Sequence, residues 1–145
     1  MIALIQRVSE ANVAVDGVIS GKIGPGLLVL LAVQPEDSAA TVTRMAERVL
    51  GYRVFADEED RMNLSLLQLG LELLVIPQFT LAADTKKGTR ASFTSAASPD
   101  KGREYFDRFV AECKNHLDSV ETGVFGANMQ VSLVNEGPVT FWLEA

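Results

Sequence analysis

Cysteine and histidine are almost absent from this sequence: one of each, Cys113 and His116, in 145 residues. A single cysteine excludes an internal disulfide and fits a reducing cytoplasm. Its neighbours Phe109 and Val110 mark it as a small buried hydrophobe rather than a nucleophile. The same scarcity excludes the usual His/Cys zinc site. His116 falls at the end of a helical stretch, where a cation suits the dipole, so a Ser-His-Asp arrangement is not expected. No tight carboxylate cluster invites Mg²⁺, because Asp57-Glu58-Glu59-Asp60 reads as a solvated turn whose consecutive side chains do not converge. No metal and no cofactor are therefore expected. Long apolar runs are missing as well. The longest, Leu27 to Val33, is far too short to cross a bilayer. Met1 leads into a strand pattern without a basic leader, so neither a signal peptide nor a membrane partner is expected. Positive charge is scarce too, with 13 Lys and Arg against 19 Asp and Glu and a net charge of −6. That argues against a broad phosphate-binding face and leaves room for a small basic patch gripping only an RNA end.

Apolar residues make up 48% and charged residues 22% of the chain, enough for one domain over residues 1–145 with its own core. Met1 to Val8 and Asn12 to Val15 read as strands. Asp16-Gly17 reads as a hairpin turn, and Val18 to Ile23 as the returning strand. Gly24-Pro25-Gly26 breaks the pattern before Leu27 to Val33, a strand buried on both faces. Pro35-Glu36-Asp37-Ser38 starts a helix capped by Asp37 or Ser38. Val42, Met45, Ala46, Val49 and Leu50 form its apolar stripe, and Gly51 closes it. Tyr52 to Phe55 reads as a short strand, Leu64 to Leu69 stays ambiguous, and Leu71 to Ile76 is the most apolar strand candidate. Ala82 to Ser98 has little periodicity, a length that in compact domains goes with function or disorder. Ser98-Pro99-Asp100 starts a second helix, buried through Tyr105, Phe106, Phe109, Val110 and Cys113. Val120 to Phe125, Met129 to Val134 and Val139 to Leu143 supply the last strands. This order predicts an α/β fold of layered, partly barrel-like β-sheets, with the two main helices covering one side.

Two stretches carry the chemistry. Asn135-Glu136-Gly137-Pro138-Val139-Thr140 separates the last two strand patterns. Gly137 opens backbone angles closed to other residues, and Pro138 makes the preceding bond the kind that is readily cis. Taken alone, Gly-Pro favours a plain hairpin turn, since only about 5–6% of X–Pro bonds are cis in folded proteins. The second stretch, Pro77-Gln78-Phe79-Thr80-Leu81, ends the Leu71 to Ile76 strand with polar Gln78 and Thr80 straddling Phe79. Together these stretches resemble the D-aminoacyl-tRNA deacylase family, whose paired signatures are Ser-Gln-Phe-Thr and Asn-x-Gly-Pro-Val-Thr. The likeness covers the whole chain, from Met1-Ile2-Ala3-Leu4-Ile5-Gln6-Arg7-Val8 to the last strand. It departs at Pro77, where the family usually has Ser.

The resemblance implies a similar fold and hydrolysis of the ester joining a D-amino acid to the 3′ end of tRNA. Glycyl-tRNA mischarged on tRNA(Ala) would be a further substrate. It also implies a cytoplasmic homodimer with active sites at the subunit interface. Gln78, Phe79 and Thr80 would form the catalytic segment, supplying amides for the developing oxyanion and, in Phe79, a wall near the terminal adenosine. Gly137 and Pro138, joined by a cis bond, would be the chirality filter reaching into the partner's pocket. Arg7, Asn135, Thr140 and Met129 would bind substrate or support the site. From the residues alone Arg7, a cation in an apolar strand, reads equally well as solvent-facing; the resemblance has it bracing Gly137-Pro138. Lys86, Lys87 and Arg90, the densest basic cluster, are candidate RNA contacts on a par with a solvated loop.

Thr80 has no evident base to activate it. The substrate's own ribose hydroxyl beside the ester is therefore expected to orient the attacking water, with the residue-77 amide not an oxyanion donor. A hydrophobic pocket discriminates by only about 1–3 kcal/mol per methylene. Acceptance of many D-residues then calls for rigid carbonyls that reject the L configuration and read nothing else. Two rivals stand beside this reading: a Thr80-centred esterase on small acyl esters, and a non-catalytic dimeric RNA-binding module.

Overall fold

The computed structural model describes all residues from Met1 to Ala145. Its first strand, β1 (Ile2–Val15), runs unbroken through the two segments that the sequence pattern separates. Asp16 and Gly17 both take positive φ, 50° and 78°, the backbone of a tight two-residue hairpin. The chain returns as β2 (Val18–Ile23), antiparallel to β1. Strand β3 (Gly26–Ala32) pairs antiparallel with the other half of β1. It can start where it does only because residue 26 is glycine: a Cβ there would lie 1.9 Å from the Glu72 carbonyl oxygen.

Helix α1 (Ala39–Gly51) follows, capped by Ser38 in a reciprocal box with Thr41. The predicted stripe of Val42, Met45, Ala46, Val49 and Leu50 is buried. Asp37, the alternative cap, does something else. It is 7% exposed, and its carboxylate receives the Met1 amino group at 2.6 Å and the Gln34 N–H at 2.7 Å. The Met1 amine also donates to Gln34 Oε1 and the Ala145 carbonyl.

Strands β4 (Arg53–Ala56) and β5 (Met62–Ser65) form a separate hairpin. The ambiguous Leu64 to Leu69 stretch divides between the end of β5 and a single helical turn, α2 (Leu66–Leu69). That turn is capped by Ser65 and closed by Gly70 in the left-handed region. Strand β6 (Glu72–Pro77) runs parallel to β3, and β7 (Val120–Thr122), shorter than its apolar pattern, runs parallel to β6. Ser20 of β2 reaches the Thr122 carbonyl, so the path β2-β1-β3-β6-β7 curls into a nearly closed barrel.

Helices α1 and α3 (Pro99–Lys114) cover one face of this sheet. Alternation along the strands sends Ala3, Ile5, Leu27, Val29, Leu31, Leu73 and Val75 to that face, against Met45, Val49, Phe106 and Phe109. Leu28, Leu74 and Ile76 point the other way and meet Val8, Val13 and Ile23 inside the curl.

The last element corrects a simple expectation. Asn135 to Thr140 is not a reversal between two strands, because β8 (Gln130–Glu144) is continuous and pairs antiparallel with β1 on both sides of it. Asn135 faces Val8 and Thr140 faces Gln6, so residues 136 to 139 all stand opposite Arg7. This is an extended bulge, a device that bends a strand and aims its backbone outward. Gly and Pro produce the same sequence pattern in either arrangement.

Candidate active site

The bulge is built by its neighbours' side chains. Asn135 Oδ1 accepts from the Val139 N–H at 3.0 Å, and Asn135 Nδ2 donates to Thr140 Oγ1 at 2.9 Å. Gln6 reaches the same hydroxyl from β1. Arg7 lies beneath, donating from Nε to the Glu136 carbonyl at 3.0 Å and from Nη1 to the Val54 carbonyl at 2.7 Å. The Gly137–Pro138 bond is cis, and Gly137 has φ +135°. A Cβ at 137 would lie 2.8 Å from Val139 Cγ2 and 3.1 Å from Arg7 Nη2. Glu136, Gly137 and Pro138 are exposed at the surface. The arrangement holds a stretch of bare backbone out from the molecule.

The second signature lies at the C-terminal edge of β6. Gln78 leaves the strand and a 3₁₀ turn, Phe79–Ala82, begins. The Gln78 N–H is taken by the Leu31 carbonyl at 2.8 Å. The amides left without acceptors inside the turn are its leading ones, Phe79 and Thr80. Of the three signature amides, the Gln78 N–H is therefore already taken. Pro77 costs no bond on the β3 side, because Gln78 makes that contact. On the other side the pairing with β7 ends at Val75 opposite Thr122. Thr80 Oγ1 accepts from Gln78 Nε2, so an amide rather than a base contacts it.

Beside this edge opens a cleft of about 470 Å³. Gln78, Phe79, Met129 and Asn128 line it, with Phe106 and Phe125 below. Met129 is set by its sulfur, which accepts from the Val124 N–H at 3.3 Å, and Gly123 leaves it room. The cleft is mostly apolar with polar groups at its rim, the make-up of a small-ligand site. Phe93, which no sequence signal marked, packs on Phe79 with ring centroids 5.1 Å apart. Lys86, Lys87 and Arg90 stand exposed on the loop that precedes Phe93, and none takes part in an ion pair. His116 lies past the end of α3, 3.7 Å from Glu112 and far along the chain from either signature. Burial pushes the Cys113 thiol up to about 12 from 9.0, with Glu112 adding to the effect, which leaves the thiol inert.

The two signatures do not meet within one chain. Gly137 stands opposite Arg7, Arg7 opposite Leu27, and Pro77 opposite Leu31. That is four residues along the strands and three strand spacings across, or roughly 13 Å by 14 Å. Neither Gly137 nor Pro138 lines the cleft.

The family model for D-Tyr-tRNA(Tyr) deacylase matches residues 4–144. A D-aminoacyl-tRNA deacylase of Thioalkalivibrio sulfidiphilus is 62% identical over 145 residues, covering 99% of this chain and 97% of the relative. Its counterpart in Yersinia enterocolitica is 56% identical over 144 residues, covering 99% of each. A solved structure described as a c-Myc DNA unwinding element binding protein superposes with a TM-score of 0.95. It is 34% identical and covers 100% of this chain and 99% of its own.

Proposed function

The chain belongs to the D-Tyr-tRNA(Tyr) deacylase family, and on that premise we propose how its two surface features act on one substrate. It is a hydrolase, a D-aminoacyl-tRNA deacylase, releasing free D-amino acid and tRNA. The terminal nucleoside of the tRNA enters the cleft against Phe79 and Met129. Water attacks the ester carbonyl, the Phe79 and Thr80 amides hold the oxyanion, and the carbon–oxygen bond to the ribose breaks as that oxygen takes a proton. The ribose hydroxyl beside the ester orients the water, since no protein base contacts Thr80. Lys86, Lys87 and Arg90 take the RNA backbone near its end. The reaction serves chiral proofreading in the cytoplasm.

Selectivity comes from a second copy. The observation that carries this reading is the separation of the signatures: the backbone presented at Gly137-Pro138 does not line the cleft beside Phe79 in its own chain. A homodimer supplies one. Trp142, Leu4 and Leu30 stand in register across β8, β1 and β3 on the face away from the helices. Trp142 is 49% exposed, so this face offers apolar surface to cover. Pairing it about a two-fold axis that crosses the strands lays the Arg7 end of one copy over the Ala3 end of the other. The bulge of one subunit then approaches the 3₁₀ turn of its partner. Its carbonyls fill the space of an L side chain and accept from the substrate's amino group. Glycine has no side chain to reject, so glycyl-tRNA carried by tRNA(Ala) is also cleaved.

Hydrolysis of D- and L-tyrosyl-tRNA measured side by side tests this. Release from the D-ester with the L-ester intact at high enzyme supports it. Efficient cleavage of both refutes the filter, and cleavage of neither refutes the activity.

A further inference from the structure

Phe79 and Phe93 are 56% and 47% exposed. Exposed aromatic rings are normally isolated on a soluble surface, whereas these two pack together, tilted by 55° with centroids 5.1 Å apart. Phe79 belongs to the wall of the cleft and Phe93 does not, so the pair leads outward from it. Phe93 directly follows a bridge in which Asp84 and Ser92 exchange backbone hydrogen bonds at 2.8 and 3.0 Å. That bridge closes the loop bearing Lys86, Lys87 and Arg90. Phe79 thus stands between the cleft and Phe93, and the exposed cations sit on the loop that closes just before Phe93 in the chain.

We propose that Phe93 extends the Phe79 wall of the cleft into a stacking platform for the unpaired base preceding the esterified nucleoside, and so separates a tRNA end from a bare aminoacyl nucleoside. The inference rests on the aminoacyl-tRNA reading above. A protein with 13 Lys and Arg against 19 Asp and Glu has few cations to spend on a long RNA, and a base face stacked on an aromatic ring adds affinity without reading sequence. Both requirements fit a deacylase that serves many tRNAs. The loop cations neutralise phosphates beside the stacked bases. The occupant is a single-stranded RNA end, whose bases meet the two rings and whose phosphates meet the loop cations.

The test compares two esters, D-tyrosyl-tRNA and D-tyrosyl-adenosine, on wild type, Phe93→Ala, Phe93→Leu and Phe93→Trp. Phe93→Ala and Phe93→Leu are expected to raise KM for the tRNA ester between about fivefold and about a hundredfold, the loss of one stacked base, with kcat held. On D-tyrosyl-adenosine both are expected to match wild type within about twofold, and Phe93→Trp to keep wild-type KM on both. The slope of log(kcat/KM) against log[salt] should be unchanged in the Phe93 variants and shallower in Lys86→Gln/Lys87→Gln. Equal losses on the two esters would overturn the proposal, since Phe93 would then only hold Phe79 in place. No loss on the tRNA ester would overturn it as well. A wild type that cleaves neither ester would remove the deacylase reading, and the platform with it.

Discussion

Arg7→Ala is the perturbation whose consequence is most completely set by geometry. The guanidinium ties two backbone segments together: the Glu136 carbonyl in the bulge and the Val54 carbonyl in β4. Each is a charge-assisted bond, of a kind that contributes about 1.5–3 kcal/mol. Glu136 is exposed, so water replaces much of what its carbonyl loses. Val54 is only 1% exposed, and its carbonyl has no such substitute. The expected loss is therefore about 2–4 kcal/mol, below the full sum of two charged bonds. For a chain of this size that lowers Tm by roughly 7–13 °C. Arg7→Lys keeps the charge but has one compact donor group where Arg7 has a fork, so it should recover less than half of the loss. Thermal unfolding by circular dichroism reads both. Arg7→Ala is also expected to lower the rate on D-tyrosyl-tRNA at a temperature where it remains folded, because the bulge loses its brace. An Arg7→Ala protein melting within a degree of wild type would refute the bracing role.

Three further outcomes follow from other parts of the molecule. Thr80→Ala should keep deacylation within about tenfold of wild type, whereas an ester on 2′-deoxyadenosine-terminated tRNA should resist wild-type enzyme; a Thr80→Ala loss of several orders of magnitude in a folded protein would restore the nucleophile reading. Asp37→Ala leaves the Met1 ammonium buried without its carboxylate and should destabilise the fold by about 3–5 kcal/mol in urea titrations, a larger effect than any exposed ion pair here would show. Cys113 should resist alkylation at pH 8 until the protein is unfolded. Because its folded pKa is raised, its contribution is intact below pH 9.0 and fades as pH climbs toward about 12, where only the unfolded thiol ionises, at up to about 1.4 kcal/mol per pH unit.

Much of this fold was legible because its signals are local. Ser38 and Ser98 announce their helices, the Val42 to Leu50 stripe predicts its buried face, and Asp16-Gly17 predicts its hairpin. What escaped depends on partners distant in sequence. Nothing about Val54 identifies its carbonyl as an acceptor for Arg7, and nothing about Asp37 ties it to the Met1 amine rather than to a helix cap. In sequence the bulge reads as a break, because the pattern around Gly137-Pro138 is the same whether the chain reverses or continues. Only the register against β1 separates the two. Of the residues lining the cleft, Gln78 and Phe79 belong to the Gln78-Phe79-Thr80 signature and Met129 to the family resemblance, whereas Thr80 lies outside it. Phe93 lies in an aperiodic stretch and was visible only once its ring was seen against Phe79.

The central claim is that each active site takes its cleft from one subunit and its filter from the other. Complementation tests it. Phe79→Asp spoils the cleft wall, and Gly137→Ala forces a Cβ to within 2.8 Å of Val139 in the bulge. Each homodimer should be inactive on D-tyrosyl-tRNA. When the two are mixed and allowed to exchange, half the dimers are mixed and each has one intact composite site, so about a quarter of wild-type activity should return. Mass spectrometry that shows mixed dimers while activity stays at the parental level would contradict a shared site.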